Sequence, residues 1–372
     1  MSMRLLLLIC VAMIFAIGLM MVYNTSSAEI LDRSLDLSTH HALYKQIIYG
    51  MIGLCAAVVV WRIGYDQLLK MTLPIFIFGI FLLILVFIPG ISHARNGAHR
   101  WLGVGGFTFQ PSEFVKYLVP MMYIHMILSQ KEQPISFRTF LKIISILGIP
   151  LFLVMVEPDN GAAAVIAANL LPLFFLSGIR FKFWAMPVLI LMVVMGTVAL
   201  NLPYVKARLQ VYLHPELDIK GKGHQPHQAK IAAGSGMLLG RGAGASLQKF
   251  TYLPEAQNDY IAAIYAEEFG FIGILFLLVL YMLFAFAGFS IAFQSESLNG
   301  CYLAMSITFL ISLQAFLNLG VASALLPSKG VNLPFFSQGG TSLISNMIGL
   351  SLLLNIAKKN ESQASIPVKK AG

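Results

Sequence analysis

Apolar runs punctuate the chain at about residues 4–22, 46–62, 72–90, 111–129, 139–156, 160–177, 183–201, 269–292, 300–320 and 341–357. Each is close to the ~20 residues that an α-helix needs to cross a bilayer. Backbone amides and carbonyls find no water partner in hydrocarbon, so such runs predict helices, which satisfy those groups internally. The expected fold is all-α: a polytopic membrane protein of about ten spans. Glu157-Pro158-Asp159-Asn160 alone separates the fifth run from the sixth, which predicts a tight turn. No internal repeat is visible. One integral membrane domain is expected over 1–372, with a large extracellular loop at 202–268 and a cytoplasmic tail at 358–372.

Composition sharpens this picture. The 372 residues are 58% hydrophobic and 11% charged, with a mean hydropathy of +0.79, whereas a soluble domain is about a quarter charged. The net charge of +9 would suggest nucleic acid in a soluble protein. Here basic residues flank apolar runs and face anionic headgroups, so the expected partners are membrane lipids and not nucleic acid. One set of loop ends carries 12 Lys and Arg residues and the other carries Arg33, Lys45, Arg95, Arg100 and Lys329. By the positive-inside rule both termini are cytoplasmic and 202–268 lies outside. Ser26-Ser27-Ala28 loosely resembles a signal cleavage site. The run before it is longer than a usual signal core, so an uncleaved first helix is expected. Cys10, Cys55 and Cys301 lie in apolar stretches and make neither a disulfide framework nor a metal pair.

Charged groups beside a span are costly and need a reason. Four clusters qualify, and their expected place is the outer ends of helices. Arg95, Arg100 and Trp101 follow the third run against the positive-inside trend. An arginine fork suits a diphosphate, although headgroup anchoring accounts for the same residues. Pro111 fits the first turn of a helix in which Glu113 and Lys116 share a face. Lys116 lies a full turn inside the membrane, so a polar interior must receive it. Glu157 and Asp159 share the external turn between the fifth and sixth runs, where residue type alone suggests a solvated turn with Asp159 capping the sixth helix. Asp259 and Glu255 would share a face if 252–269 is an amphipathic helix running into the eighth span. Glu267 and Glu268 follow. A carboxylate there is either a solvated surface group or a general base.

The long loop holds Gly234, Gly236, Gly240, Gly242 and Gly244, which signal either flexibility or close backbone approach to a ligand. His224 and His227 lack a third metal ligand at motif spacing. The chain contains no GxSxG elbow, Walker loop or HExxH motif. No dedicated metal site is expected, while a divalent cation (Mg2+ or Mn2+) stays open as a helper.

In chain order, Arg100-Trp101-Leu102, Gln110-Pro111-Ser112-Glu113-Phe114-Val115-Lys116 and Glu157-Pro158-Asp159-Asn160-Gly161 resemble signatures of the SEDS family (shape, elongation, division and sporulation). So do Gln225, Gln228, Ser246-Leu247-Gln248-Lys249, Tyr252-Leu253-Pro254-Glu255-Ala256, Asp259 and Ala266-Glu267-Glu268-Phe269-Gly270. The stretch from Leu325 to Ser342, including Ser337, resembles the family's last external loop. Leu326-Pro327-Ser328-Lys329-Gly330 is more similar to the FtsW-like division branch than to the RodA-like elongation branch. The chain departs from the family pattern at Gln257-Asn258, at Gln338 and at Asn160-Gly161-Ala162, beside aspartates that stay in place.

The resemblance implies a peptidoglycan glycosyltransferase that polymerises lipid II during septal wall synthesis. It implies Asp259 as general base. It implies Arg95, Arg100, Glu113, Lys116, Asp159, Gln225, Gln228, Lys249, Glu255 and Ser337 as substrate contacts. Implied partners are undecaprenyl-pyrophosphate-linked glycan, a class B penicillin-binding protein and other division proteins, in a bacterial plasma membrane. A RodA-type elongation polymerase, a lipid II flippase and a non-catalytic scaffold are the rival expectations.

Overall fold

The computed structural model describes residues 2–33, 40–95, 98–104, 107–130, 134–201, 224–249, 258–327 and 330–364. Among these, α1 (Met3–Arg33), α2 (His41–Ile63), α3 (Tyr65–Lys70) and α4 (Thr72–Leu85) precede a small sheet, β1 (Ser92–Arg95), β2 (Ala98–Val104) and β3 (Phe107–Phe109). Then follow α5 (Pro111–Leu128), α6 (Phe137–Val156), α7 (Asn160–Leu176), α8 (Phe181–Asn201), α9 (His224–Ser235), α10 (Ile261–Phe293), α11 (Leu298–Ala322) and α12 (Gly340–Ala364). Every expected apolar run falls on a helix. Six of them, α1, α2, α6, α10, α11 and α12, are long and apolar enough to cross a membrane, and α4 and α7 are shorter apolar helices.

The helix ends follow their sequence signals. Ser136 Oγ accepts from Thr139 N (3.2 Å) at the start of α6, and Ser297 Oγ accepts from Gly300 N (3.0 Å) at the start of α11. Large apolar side chains such as Met51, Phe78, Phe152, Phe175 and Phe286 stay exposed on the outer helix faces. In a helical membrane protein those faces meet lipid. The interior is tied by polar pairs between helices. Tyr117 donates to Asn346 Oδ1 (2.7 Å), and Asn169 Nδ2 donates to Ser306 Oγ (3.1 Å). Such bonds contribute ~0.6 kcal/mol each on average. Arg4 pairs with Glu361 (2.7 Å), so the start of α1 and the end of α12 lie at one end of the bundle.

Two findings depart from the sequence expectation. The first is the antiparallel sheet, in the order β1-β2-β3, between α4 and α5. Ser92 pairs with Leu102 and Leu102 with Phe109, with a bulge between His93 and Ala94. Tyr49 and Thr341 fasten it to the bundle: both hydroxyls donate to Thr108 O (3.2 Å each).

The second concerns the segment around Asp259. The expected helix over 252–269 would have placed Asp259 and Glu255 on one face. Instead Asn258, Asp259 and Tyr260 form a turn, α10 begins at Ile261, and Glu255 lies outside the described residues. Glu267 and Glu268 are not a solvated face either; each is 1% exposed. The helix breaks at Gly270 (φ 68°, ψ −164°), a conformation open essentially to glycine alone.

The glycine run repairs that break. Met237 O and Leu238 O accept from Phe271 N (2.9 Å) and Ile272 N (3.2 Å), while Arg241 N and Gly242 N donate to Glu267 O and Glu268 O (3.0 Å each). A turn of the loop thus replaces bonds the helix forfeits. Close approach explains the glycines: a Cβ on Gly240 would strike Glu268 O. Gly270→Ala should therefore cost at least ~1–3 kcal/mol, seen as loss of monodisperse protein and an earlier thermal transition in detergent. Gly234→Ala, on α9 with open space around it, should leave both unchanged.

Candidate functional site

The start of α5 is built by its first turn. Gln110 is the extended residue before the helix, Pro111 occupies its first position, and Glu113 falls in the first turn. The i,i+3 spacing then brings Lys116 Nζ to 2.7 Å from Glu113 Oε2, with both side chains buried. The expected pair forms.

Asp159 caps the helix as expected, but its turn is not solvated: Asp159 is 4% exposed and Glu157 1%. Its Oδ1 accepts from Ala162 N (3.1 Å), capping α7. Its Oδ2 accepts from Gln110 Nε2 (3.0 Å) and Ser112 Oγ (3.2 Å), joining that cap to the start of α5. Arg100, from β2, donates through Nε to Glu157 O (3.1 Å) and through Nη2 to Pro158 O (2.7 Å), and its Nη1 lies 4.0 Å from Asp159 Oδ1. The sheet thus delivers a guanidinium to the α6–α7 turn.

Asp259 enters from the opposite side, in the turn before α10. Its Oδ2 lies 3.8 Å from where a Cβ on Gly330 would stand. Arg100, Glu113 and Asp259 line one cavity of about 260 Å³ together with Gln110, Asn332 and Thr341. A cationic group, a neutralised carboxylate and a half-buried aspartate therefore share one polar chamber at the end where β1–β3 sits. Lys116 and Asp159 do not line it; they hold Glu113 and Gln110, which do.

The FTSW_RODA_SPOVE family, described as cell cycle protein, matches residues 4–362. The chain belongs to this family. Among named members, it is 36% identical to the probable peptidoglycan glycosyltransferase FtsW of Legionella pneumophila, covering 94% of this chain and 89% of that one. It is 37% identical to the like-named protein of Coxiella burnetii (96% of each chain) and 36% identical to stage V sporulation protein E of Bacillus subtilis (95% of this chain, 96% of that one). The fold matches a chain in a structure titled "Structural coordination of polymerization and crosslinking by a peptidoglycan synthase complex" (TM-score 0.76, 25% identity, 95% and 97% covered). It also matches the rod shape determining protein RodA of Thermus thermophilus (TM-score 0.67, 23% identity, 95% and 96% covered).

Other family-pattern residues stand apart from the cavity lining. Ser337 is buried: its Oγ accepts from Leu333 N (3.0 Å) and its carbonyl from Gln46 Nε2 (3.3 Å), so it shapes the loop behind the chamber. Lys249, 4% exposed, donates to Asn24 Oδ1 (2.7 Å), Gly244 O (2.6 Å) and Glu268 Oε1 (3.1 Å). Its ammonium is spent on the tie between α1, the glycine run and α10. Gln225 and Gln228 sit half-buried on α9, away from the cavity lining. Arg95 is on β1, and its side chain and Glu255 lie outside the described residues.

Sequence reading missed Lys45, Gln46, Tyr49 and Asn332, all in the lining. Lys45 carried a signal, as another exterior cation against the charge bias. The departures Asn258 and Gln338 also face the cavity.

Glu157 has a distinct state. It is 1% exposed, and neither carboxylate oxygen has a hydrogen-bond partner among the described residues. Burial, reinforced by the Asp159 charge and opposed by Arg100, pushes its pKa from 4.5 up to about 8. A native-state pKa raised in this way favours the folded protein below pH 4.5, and that contribution disappears as pH climbs toward 8. Glu157→Gln should therefore gain thermal stability relative to the parent as pH rises from 5 to 8, and the gain should level off above 8. A pH-independent difference in melting temperature would show that Glu157 is ionised in the native protein.

Proposed function

We propose that this chain is a peptidoglycan glycosyltransferase of the FtsW type that polymerises lipid II into β-1,4-linked glycan strands during septal wall synthesis. The observation that carries the reading is the single cavity into which Arg100, Glu113 and Asp259 converge, in a chain at least 36% identical over nearly its whole length to relatives named for this activity.

The chemistry fits the residues. The 4-hydroxyl of the acceptor's N-acetylglucosamine attacks the anomeric carbon of the donor. The carbon–oxygen bond to the lipid diphosphate breaks, and the diphosphate leaves with the electron pair. An α-linked donor and a β-linked product require one inverting displacement. Asp259 takes the hydroxyl proton, a role that typically contributes ~10²–10⁴-fold. Arg100 stabilises the charge that builds on the diphosphate, with Lys45 as a second cation in the lining. The Glu113–Lys116 pair and Asp159 hold the α5 end of the chamber in place. Two apolar grooves of about 660 and 600 Å³ open between helices and are of the kind polyprenyl tails need.

A divalent cation receives no step. Among the described residues no three His, Cys, Asp or Glu side chains converge, and Glu113 is already neutralised by Lys116.

The rival lipid II flippase would place its polar groups near the bilayer midplane. Arg100 instead lies on β2, and Asp159 and Asp259 lie at or just before helix starts, at one end of the bundle. That end is outer by the positive-inside rule, with both termini cytoplasmic. A crosslinking partner, in family terms a class B penicillin-binding protein, and other division proteins complete the proposed assembly at the septum of the plasma membrane.

The test uses purified protein with its partner and lipid II. Asp259→Asn should lower the polymerisation rate at least ~10²-fold and leave the melting temperature unchanged. Polymerisation at the parental rate would overturn the assignment of Asp259.

A further inference from the structure

Asn318 lies on α11, 1% exposed, and no sequence signature marks it. Its Nδ2 donates to two backbone carbonyls, Asp259 O (3.1 Å) and Val331 O (2.8 Å). Both partners can only accept, so the amide orientation is forced: the NH2 group faces them and the carbonyl faces away. That carbonyl, Oδ1, is buried without a hydrogen-bond partner among the described residues.

An orphaned buried acceptor costs ~1–3 kcal/mol. A site that only needed to be filled would be better served by leucine. The two bonds must therefore achieve something that packing does not. They connect two separate segments at the cavity. One is the turn that carries Asp259; the other is the stretch from Gly330 to Asn332, whose Gly330 and Asn332 line the same chamber. Gly330 sits beside the Asp259 carboxylate, with a virtual Cβ at 3.8 Å from Oδ2. Asp259 precedes α10, and Asn318, near the end of α11, restrains its carbonyl directly.

We propose that Asn318 is the positioning residue for Asp259: it clamps the base-bearing turn against the 330–332 segment and so sets the distance from the carboxylate to the acceptor hydroxyl. The inference rests on the reading of Asp259 as general base. A misplacement of about 1 Å at a reacting group costs on the order of 10²-fold, so loss of the clamp should appear in turnover before it appears in binding.

The experiment compares the parent with Asn318→Leu, Asn318→Asp and Asp259→Asn, each as full-length protein with its partner, measuring lipid II polymerisation and thermal melting. Asn318→Leu keeps the volume and removes both donors. Its kcat should fall roughly 10- to 100-fold, with KM for lipid II within about twofold and the melting temperature near parental. Asn318→Asp separates clamping from packing. Its carboxylate repels the two carbonyls when ionised and donates to one of them when protonated, so its activity relative to the parent should recover as pH falls.

Parental kcat in Asn318→Leu overturns the proposal, as does a loss confined to KM and melting temperature, or an Asn318→Asp deficit that is constant with pH. The Asp259→Asn arm keeps the two readings apart. Full activity there sinks the base assignment itself, whereas an inactive Asp259→Asn beside a fully active Asn318→Leu sinks only the clamp. Should Asn318→Leu fail to fold, the pH dependence of Asn318→Asp decides alone.

Discussion

The break in α10 at Gly270 is the constraint on which the cavity end of the molecule depends. A helix interrupted beside a membrane leaves amides and carbonyls that hydrocarbon cannot satisfy. The Gly236–Gly240 turn meets that need from outside the helix, and the backbone of Arg241 and Gly242 caps the carbonyls of Glu267 and Glu268. Because the run must approach the backbone of α10 directly, side chains are excluded there. The kink in turn sets the direction of Ile261–Phe269, and with it the turn that presents Asp259.

A buried charge system locks this arrangement. Glu268 accepts from Asn24 of α1, from Gly244 N and from Lys249 Nζ. Glu267 accepts from Ser246 Oγ (2.6 Å) and from Leu247 N. Removing one partner of such a group costs ~3–5 kcal/mol, because the other charge stays buried. The acidic pair that looked like a solvated or catalytic feature is thus the foundation of the loop. Asp159 performs a comparable task by joining the α7 cap to the start of α5. Asn318 spans the gap between the turn that carries Asp259 and the last loop. The ties from Asp159 and Asn318 hold segments that line the chamber, while the Glu268 system holds the kinked helix from which one of those segments departs.

Much of this was legible in the sequence, and the reasons for the remainder are physical. Apolar runs reveal helices because the bilayer admits few alternatives, and all ten runs fall on helices. The Glu113–Lys116 pair and the Asp159 cap were legible because both depend on local spacing. Non-local contacts were not. Asn96-Gly97 and Gly105-Gly106 are hairpin signals that a reading by apolar runs passes over, and the sheet whose strands they separate is fastened by Tyr49 and Thr341 from distant helices. Asp259 was placed on a helix because its neighbours suit one, whereas tertiary contacts to Gly330 and Asn318 hold it in a turn. Lys249 matched a family pattern and was assigned to substrate, yet its bonds go to Asn24 and Glu268. Lys45 and Asn332 reach the cavity only through folding.

The central claim is that one chamber receives both the leaving diphosphate and the attacking sugar. It is tested most directly by electron cryomicroscopy of the protein bound to a non-transferable phosphonate analogue of lipid II. A shared chamber predicts phosphate or phosphonate oxygens within hydrogen-bond reach, ~3 Å, of the Arg100 guanidinium, and a sugar hydroxyl facing Asp259. Phosphorus density lodged elsewhere on the protein, with the Arg100–Asp259 cavity empty, would contradict it.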